Sequence, residues 1–181
     1  MPAILSVLLI AAAAVLCWRM AKQLEAKRRK KAAGDEGCLE YRTSRRVPNV
    51  LVDSERMGQA LLNLCLNALD AMPDGGRMTL VIAKAKRRVC LMVRDTGKGI
   101  DPAAMAHIFD PYFTTKGQGT GLGLAMVHKI VAAHNGEISV YSRLAGEDGH
   151  GETIFRLWLP LAPKAPEEFP ELRYRGKGRK N

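Results

Sequence analysis

Apolar residues recur along residues 37–161 with two different periods, one typical of helices and one typical of strands. Over residues 55–72 they fall three or four positions apart, which predicts an amphipathic helix. The apolar positions of this helix are Met57, Ala60, Leu61, Leu64, Ala68 and Ala71. Ser54 is a suitable N-cap, with Asp53 directly before it. We therefore expect a long helix early in the folded part of the chain.

The remaining pattern predicts two more helices and several strands. A short helix follows Asp101 and Pro102, since proline is well suited to a first turn. Another is expected over 122–134, closed by Gly136. The predicted strands are 38–43, 49–52, 78–83, 89–93, 138–142 and 153–159. This order predicts an α+β fold, a two-layer sandwich in which helices cover one mixed sheet.

The two ends of the chain differ from this folded part. Residues 1–18 carry no charged side chain, and the apolar run over 2–18 approaches the roughly 20 residues that span a bilayer. Basic residues follow it, which predicts an N-terminal membrane-anchor helix with the rest of the chain in the cytoplasm. The alternative is a short segment that only touches the membrane. We expect 19–36 to be a basic linker and 162–181 to be a basic disordered tail.

The net charge of +10 comes largely from basic residues near the two ends. This placement favours flexible arms near a membrane or a polyanion. Nucleic-acid binding is the alternative, but no known nucleic-acid motif supports it and we expect none. The cysteines form no CxxC pair, which argues against a zinc site and for a reducing compartment. They are Cys17, Cys38, Cys65 and Cys90.

The first chemical motif is NLCLNALDAM on the long predicted helix. Gln59, Asn63 and Asn67 are spaced four residues apart, so their amides form one stripe, which Asp70 continues. A carboxamide oxygen suits Mg²⁺ when a triphosphate supplies the negative ligands. The alternative is that both asparagines cap or bridge neighbouring loops.

The second motif, DTGKGI, directly follows a predicted strand. The Asp95 carboxylate can accept a hydrogen bond from an exocyclic amine. Gly97 and Gly99 let the backbone turn tightly and approach a ring. An ordinary turn at the end of a strand is the alternative.

The third motif is IFDPYFTTKGQGTGLGLA, a glycine-rich loop that leads into a predicted helix. Backbone N–H groups of Gly119, Gly121 and Gly123 at a helix start can cradle phosphates. Lys116 can add a cation and Thr115 a hydroxyl, and residues 117–121 can act as a lid. The loop matches neither the Walker A nor the Rossmann pattern. A flexible connector is the alternative.

These motifs, in this order, resemble the ATP-binding catalytic domain of sensor histidine kinases, and most of all kinases of the nitrogen-regulation type. GHGETIFRLWLP over 149–160 resembles the closing strand of that family. The wider superfamily includes DNA gyrase, MutL and the heat-shock chaperones. The resemblance covers about 38–161. It implies the Bergerat ATP-binding fold, with ATP and Mg²⁺ as cofactors.

The resemblance also implies roles for individual residues. Asn63, Asn67 and Lys116 correspond to catalytic residues, with Asn67 as the Mg²⁺ ligand. Asp95 corresponds to the carboxylate that reads adenine, helped by Thr153 through water. The other implied nucleotide-binding residues are Gly97, Gly99, Phe109, Thr115, Gly119, Gly121, Leu122, Gly123 and Leu124.

Three positions depart from relatives in the superfamily. Hydrolytic members carry a glutamate one helical turn before the Mg²⁺-binding asparagine, where this chain has Asn63. Since an amide cannot act as a base on water, fast ATP hydrolysis is not expected. Asp70 and Ala71 occupy places where many family members have a basic or aromatic residue. An anti-sigma-type serine kinase and a non-catalytic nucleotide-binding module are the alternative functions.

The phosphoacceptor histidine of the family lies in an H-E/D-x-x-x-P setting, which this sequence lacks. The four histidines all fall inside the predicted ATP-binding domain, at His107, His128, His134 and His150. The resemblance therefore implies a histidine-bearing dimerisation hairpin in another chain as a partner, with a response regulator downstream. It also implies the inner membrane of a bacterium as the location, with the catalytic domain in the cytoplasm. The sequence is compatible with three interpretations of the chain: a split kinase, a degenerate kinase or a gene fragment.

Overall fold

The structure, a computed structural model, describes residues 4–5, 38–44, 47–117, 119–146 and 151–162. It contains three helices within this part of the chain: α1 (Ser54–Ala71), α2 (Pro102–Met105) and α3 (Gly123–Ala133). The strands in the same ranges are β1 (Ile4–Leu5), β2 (Cys38–Thr43), β3 (Val50–Leu51), β4 (Arg77–Ala85), β5 (Arg88–Asp95), β6 (Glu137–Arg143) and β7 (Glu152–Pro160). The predicted order of elements over 37–161 is confirmed, with each end shifted by at most two residues.

Five strands form a mixed sheet in the order β2-β4-β5-β7-β6. β2 runs parallel to β4, and the other neighbours are antiparallel. The parallel pair arises because the chain passes through α1 between β2 and β4, whereas β4 and β5 are joined by a tight hairpin. The predicted α+β sandwich with a mixed sheet is therefore confirmed.

The hydrophobic core lies between the sheet and the two longer helices. α1 packs against α3, and both contact the sheet. Alternate residues of β5 and β7 point into this core, as a period of two requires; they are Val89, Leu91, Val93, Phe155, Leu157 and Leu159. The buried side of α1 carries Met57, Ala60, Leu61, Leu64, Cys65 and Ala68. The polar stripe of α1 lies outside this buried side and is available for other contacts.

The N-terminus of α1 is capped by Asp53, and the prediction of Ser54 as the cap is wrong by one residue. Asp53 has extended backbone angles, and its carboxylate accepts a hydrogen bond from the Arg56 N–H at 3.0 Å. The Asp53 N–H donates to Nε2 of His134 at 2.9 Å. His134 Nδ1 lies 2.7 Å from the Ile130 carbonyl oxygen, so its imidazole joins the start of α1 to the end of α3.

Replacing Asp53 with alanine is expected to lower the Tm by roughly 2–5 °C, because one N–H at the helix start loses its acceptor. The Arg56 N–H lowers the pKa of Asp53. The cap therefore contributes fully above the ordinary pKa of Asp and is lost as the pH falls through the folded value. Thermal unfolding at pH 7 and at acidic pH measures both effects. Ser54→Ala is the matched control, and an equal loss in that variant would contradict the assignment.

Much of the two predicted end segments lies outside the described residues. Within 1–18 only Ile4–Leu5 is described, and it forms a strand antiparallel to Val50–Leu51 where a helix is predicted, because its backbone pairs with β3. The linker 19–36 and residues 163–181 are also outside the described ranges. Among the helices that the structure describes, none has both the length and the apolar character needed to cross a bilayer.

Candidate functional site

The polar stripe of α1 contacts the glycine-rich loop. Gln59 Nε2 donates to Asn63 Oδ1 at 3.3 Å, and Asn63 Nδ2 donates to the Gly123 carbonyl at 3.2 Å. Asn63 therefore bridges α1 to the first residue of α3, as the structural alternative for this asparagine anticipated. Its implied role beside the phosphates stays a prediction.

One helical turn further on, Asn67 and Asp70 hold the ammonium group of Lys116. Lys116 Nζ lies 2.9 Å from Asn67 Oδ1 and 2.7 Å from Asp70 Oδ2. Two oxygens of α1 thus already bind one cation, and the amide oxygen of Asn67 points toward it. Asp70, which departs from the common family residue, is the anionic partner of Lys116. The side chains of Lys116 and Asp70 are 39% and 56% exposed, so a ligand can reach this pair.

Asp95 is the last residue of β5 and is only 2% exposed. Its Oδ1 accepts the Gly97 N–H at 3.0 Å. Burial raises the pKa of Asp95 to about 6, against the opposing effect of the Gly97 hydrogen bond and with some help from the charge of Glu152. The carboxylate has further lone pairs, which can accept a hydrogen bond from an amine of a bound base.

A row of polar residues crosses three neighbouring strands at this point. Asp95 on β5 is paired with Thr153 on β7, which is paired in turn with Ser142 on β6. Paired residues share one face of a sheet, so these three side chains lie side by side. Thr153 is 3% exposed, and its Oγ1 lies 3.1 Å from Ser142 Oγ. Sequence reasoning missed Ser142, although the strand register would have identified it.

The DTGKGI loop packs tightly against the end of α1. A Cβ on Gly97 would lie 2.5 Å from the Ala71 carbonyl oxygen, and the Lys98 N–H donates to that oxygen at 3.0 Å. Gly99 has a φ of +78°, and a Cβ there would collide with the Arg143 backbone. Both positions therefore require glycine for close approach of the backbone.

Gly151 is a further residue of this loop contact that sequence reasoning did not single out. It is buried, and a Cβ there would collide with the carbonyl oxygen of Gly97 and would lie 2.7 Å from the Lys98 carbonyl carbon. The glycine immediately before the closing strand, in GHGET, was the available signal. Gly151 thus allows the start of β7 to pack directly on the DTGKGI loop.

Gly151→Ala is expected to cost about 1–3 kcal/mol of unfolding free energy, because the added methyl group has only backbone to displace. Chemical denaturation measures the loss, and the amide shifts of Gly97 and Lys98 report the local displacement. Gly117→Ala is the matched control, since nothing lies within 4 Å of its added Cβ. Equal stability of the two variants would contradict the close packing at Gly151.

The glycine-rich loop is held to the segment before it. Gly121 has a φ of +67° and lies against the backbone of Tyr112, whose N–H donates to the Gly121 carbonyl at 3.1 Å. A Cβ on Gly119 would lie 2.5 Å from Thr114 Oγ1. Leu122 occupies the N-cap position of α3 and provides no side-chain hydrogen bond. The N–H groups at the start of α3 can therefore bind an external acceptor.

The remaining predicted site residues surround this loop. Thr115 is exposed, Leu122 is 41% exposed, and Leu124 packs partly on the core. Phe109 also packs on the core, and its ring centroid lies 5.5 Å from that of His128 on α3. Phe109 thus ties the segment before the lid to the helix after it.

The described histidines contact other residues of the domain, as noted above for His134. His107 Nδ1 lies 2.8 Å from Asp110 Oδ2, and His128 packs on Phe109. His150 lies outside the described residues. Within the described ranges, no three residues of the His, Cys, Asp and Glu types come together as a metal site.

Comparison with known proteins identifies the domain. The family model for histidine kinase-, DNA gyrase B- and HSP90-like ATPases matches residues 52–163. The sensor histidine kinase ZraS of Escherichia coli K12 is 43% identical over 123 residues, which cover 68% of this chain and 25% of ZraS. The histidine-protein kinase AtoS of the same organism is 40% identical over 113 residues, covering 62% and 18%. The chain spans about a quarter or less of these relatives.

Solved structures show the same fold. The catalytic domain of histidine kinase ThkA has a TM-score of 0.64 and 28% identity, and the match covers 84% of this chain and 90% of that domain. Full-length ShkA in complex with AMPPNP has a TM-score of 0.70 and 31% identity, covering 91% and 32%. The resemblance of the motifs to sensor histidine kinases is confirmed, and the particular likeness to the nitrogen-regulation type stays a prediction. The chain belongs to the histidine kinase-, DNA gyrase B- and HSP90-like ATPase family, and its folded part is an ATP-binding catalytic domain of the sensor histidine kinase type.

Proposed function

We propose that this domain binds Mg·ATP and transfers the γ-phosphate to a histidine on a separate helical hairpin. The observation that carries the proposal is the convergence of all three motifs on α1. Asn63 binds the start of α3, Asn67 binds Lys116, and the Ala71 carbonyl binds the DTGKGI loop. One helix therefore connects a base-binding end with a phosphate-binding end.

At the base end, Asp95 and Thr153 lie side by side and are almost completely buried. Their oxygens suit the exocyclic amine of adenine, either directly or through a water. Gly97 and Gly99 have no side chains, so a flat ring can approach the backbone of their loop. The solved structure of ShkA contains the ATP analogue AMPPNP, which supports a nucleotide triphosphate as the ligand.

At the phosphate end, positive groups are available in two places. The N–H groups at the start of α3 can cradle phosphate oxygens, and Lys116 can neutralise their charge. A triphosphate would compete with Asp70 for the Lys116 ammonium and would free the Asn67 amide oxygen. That oxygen is a suitable ligand for Mg²⁺, which lowers the charge of the phosphates during transfer.

Transfer to a protein is favoured over hydrolysis by the chemistry of Asn63. Its amide donates to the Gly123 carbonyl, and an amide cannot remove a proton from water at neutral pH. The relatives ZraS and AtoS are named histidine kinases. The serine-kinase alternative predicts label on a serine of a partner instead.

The test uses the full chain with γ-labelled ATP. Alone, it is expected to hydrolyse ATP slowly and to form little acid-labile phosphohistidine. Addition of a histidine-bearing hairpin from a sensor histidine kinase should place acid-labile label on the hairpin. Strong self-labelling on a histidine of this chain, located by mass spectrometry, would contradict the separate acceptor. A response regulator is the proposed downstream partner.

We also propose that residues 2–18 anchor the chain in the inner membrane of a bacterium and leave the catalytic domain in the cytoplasm. The support is the uncharged apolar run followed by basic residues. In the anchored chain, Ile4–Leu5 would lie in the membrane and would no longer pair with β3. The full chain should stay with membranes after a carbonate wash, whereas a chain that starts at Glu36 should be released. Recovery of the full chain in the wash would contradict the anchor.

A further inference from the structure

The hydroxyl group of Ser142 has three partners around the base end of the site. It lies 2.7 Å from the Glu152 carbonyl oxygen, 2.9 Å from the Ile100 backbone nitrogen and 3.1 Å from Thr153 Oγ1. Ile100 closes the DTGKGI loop, and Glu152 and Thr153 open β7. Ser142 therefore joins that loop to two strands at one point.

The chemistry of these partners determines the direction of each hydrogen bond. A carbonyl oxygen can only accept, so the single Ser142 proton goes to Glu152, its shortest contact. A backbone N–H can only donate, so one lone pair of the Ser142 oxygen accepts the hydrogen bond from the Ile100 N–H. The other lone pair remains for Thr153, whose hydroxyl must then be the donor in this contact.

The strand order places Ser142 and Asp95 on opposite sides of Thr153. When the Thr153 proton points toward Ser142, it points away from Asp95. The Thr153 lone pairs then remain on the side of Asp95. Asp95 itself presents carboxylate oxygens there, one of which accepts the Gly97 N–H.

We propose that Ser142 is a positioning residue for base selectivity, which acts by directing the Thr153 proton so that the base end offers only acceptors. A purine with a 6-amino group can donate to such an end. A 6-oxo purine would place an acceptor against acceptors, which leaves buried polar groups unpaired. This inference rests on the proposed function, because it assumes that a nucleotide binds beside Asp95.

Loss of Ser142 can change two quantities, the general affinity for nucleotides and the preference for one base over another. Ser142 also holds the DTGKGI loop through Ile100, and loss of that contact should weaken all nucleotides alike. Direction of the Thr153 proton, by contrast, should affect a 6-amino and a 6-oxo purine differently. The ratio of the two dissociation constants therefore reports the proposed role and cancels the structural one.

The experiment measures Kd for ATP and for inosine triphosphate by calorimetry on the full chain and its variants. Ser142→Ala frees the Thr153 hydroxyl to rotate, so it should lower the preference for ATP by roughly tenfold. Ser142→Thr keeps the hydroxyl and should restore the preference to within about twofold. Thr153→Val removes the acceptor itself and should lower the preference by a similar factor. Adding Ser142→Ala to Thr153→Val should change the ratio no further.

An unchanged ratio in Ser142→Ala, with both nucleotides weakened equally, would overturn the inference and leave Ser142 as a loop contact only. A further change of the ratio in the double variant would overturn the route through Thr153. If Ser142→Ala fails to fold, an unchanged ratio in Thr153→Val overturns the inference. Failure of the unaltered chain to bind ATP would instead overturn the proposed function, which makes the two failures distinguishable.

Discussion

Replacing Asp95 with asparagine is expected to weaken ATP binding by at least about 100-fold, because the amide turns an N–H donor toward the adenine amine. The asparagine Oδ1 can still accept the Gly97 N–H, which fixes the NH₂ group on the other side. Calorimetry with ATP measures the loss. The exposed Asp74→Asn, which makes the same chemical change, is the matched control. Equal affinity in Asp95→Asn and the unaltered chain would contradict the role of Asp95.

The same variant is expected to be more stable than the unaltered chain at pH 7. Burial raises the pKa of Asp95 from 3.8 to about 6, so the folded state binds a proton more tightly than the unfolded state does. Stability contributed by this group is therefore complete below the unfolded pKa and is lost as the pH rises through about 6. The cost at pH 7 is on the order of 2–3 kcal/mol, which asparagine avoids. Denaturation at pH 5 and pH 7.5 tests the sign.

ATP affinity should follow the opposite trend with pH. The carboxylate form of Asp95 accepts from the amine, so binding strengthens as the pH rises through about 6 in the unaltered chain. Asp95→Asn should lose that dependence. A matching pH profile in both proteins would show that another group controls binding.

Asn67→Ala is expected to reduce phosphoryl transfer to an added histidine hairpin by roughly 100- to 1000-fold. The reason is that the variant lacks the side-chain oxygen proposed to bind Mg²⁺ beside the phosphates. Lys116 would keep Asp70 as its partner, so the segment that carries Lys116 should keep its position. The rate of label transfer at several Mg²⁺ concentrations measures the effect. Binding of ATP in the presence of a chelator should change much less, because the role proposed for Asn67 is through the metal.

Asp70→Asn is the matched control for this experiment. It lies on the same helix and contacts the same ammonium, but we propose no metal contact for it. Transfer should persist in this variant. Because Lys116 loses its anionic partner, its ammonium group should bind phosphate oxygens more readily. Full Mg²⁺-dependent transfer by Asn67→Ala would contradict the assignment of the metal ligand.

Periodicity over residues 37–161 was sufficient to predict most elements of the folded part, although not the strand Ile4–Leu5. The amphipathic spacing over 55–72 and the alternation over 89–93 each reflect a backbone repeat, so neighbouring residues alone carry the information. The exact residue at which each element begins or ends could not be predicted from periodicity. Ser54 and Asp53 are both good caps, and the choice depended on which carboxylate or hydroxyl could reach the Arg56 N–H.

The motifs likewise indicated the family, and they included most residues of the site. Asp95, Asn67 and Lys116 belong to short patterns whose residue types carry chemistry on their own. Their mutual contacts were not predictable, because Lys116 and Asn67 are 49 residues apart. The pairing of Asp70 with Lys116, at 46 residues' separation, depended on how the segment that carries Lys116 packs against α1.

Residues with ordinary local sequence became important through packing alone. Ser142 is one serine in a strand, and Gly151 is one glycine just before a strand. The register between β6 and β7 places Ser142 beside Thr153, and the close approach of β7 to the DTGKGI loop excludes a side chain at Gly151. Both follow from distances between segments far apart in the chain. Local sequence sets helix and strand periods, whereas strand register and the docking of loops on α1 arise from burial of the whole core.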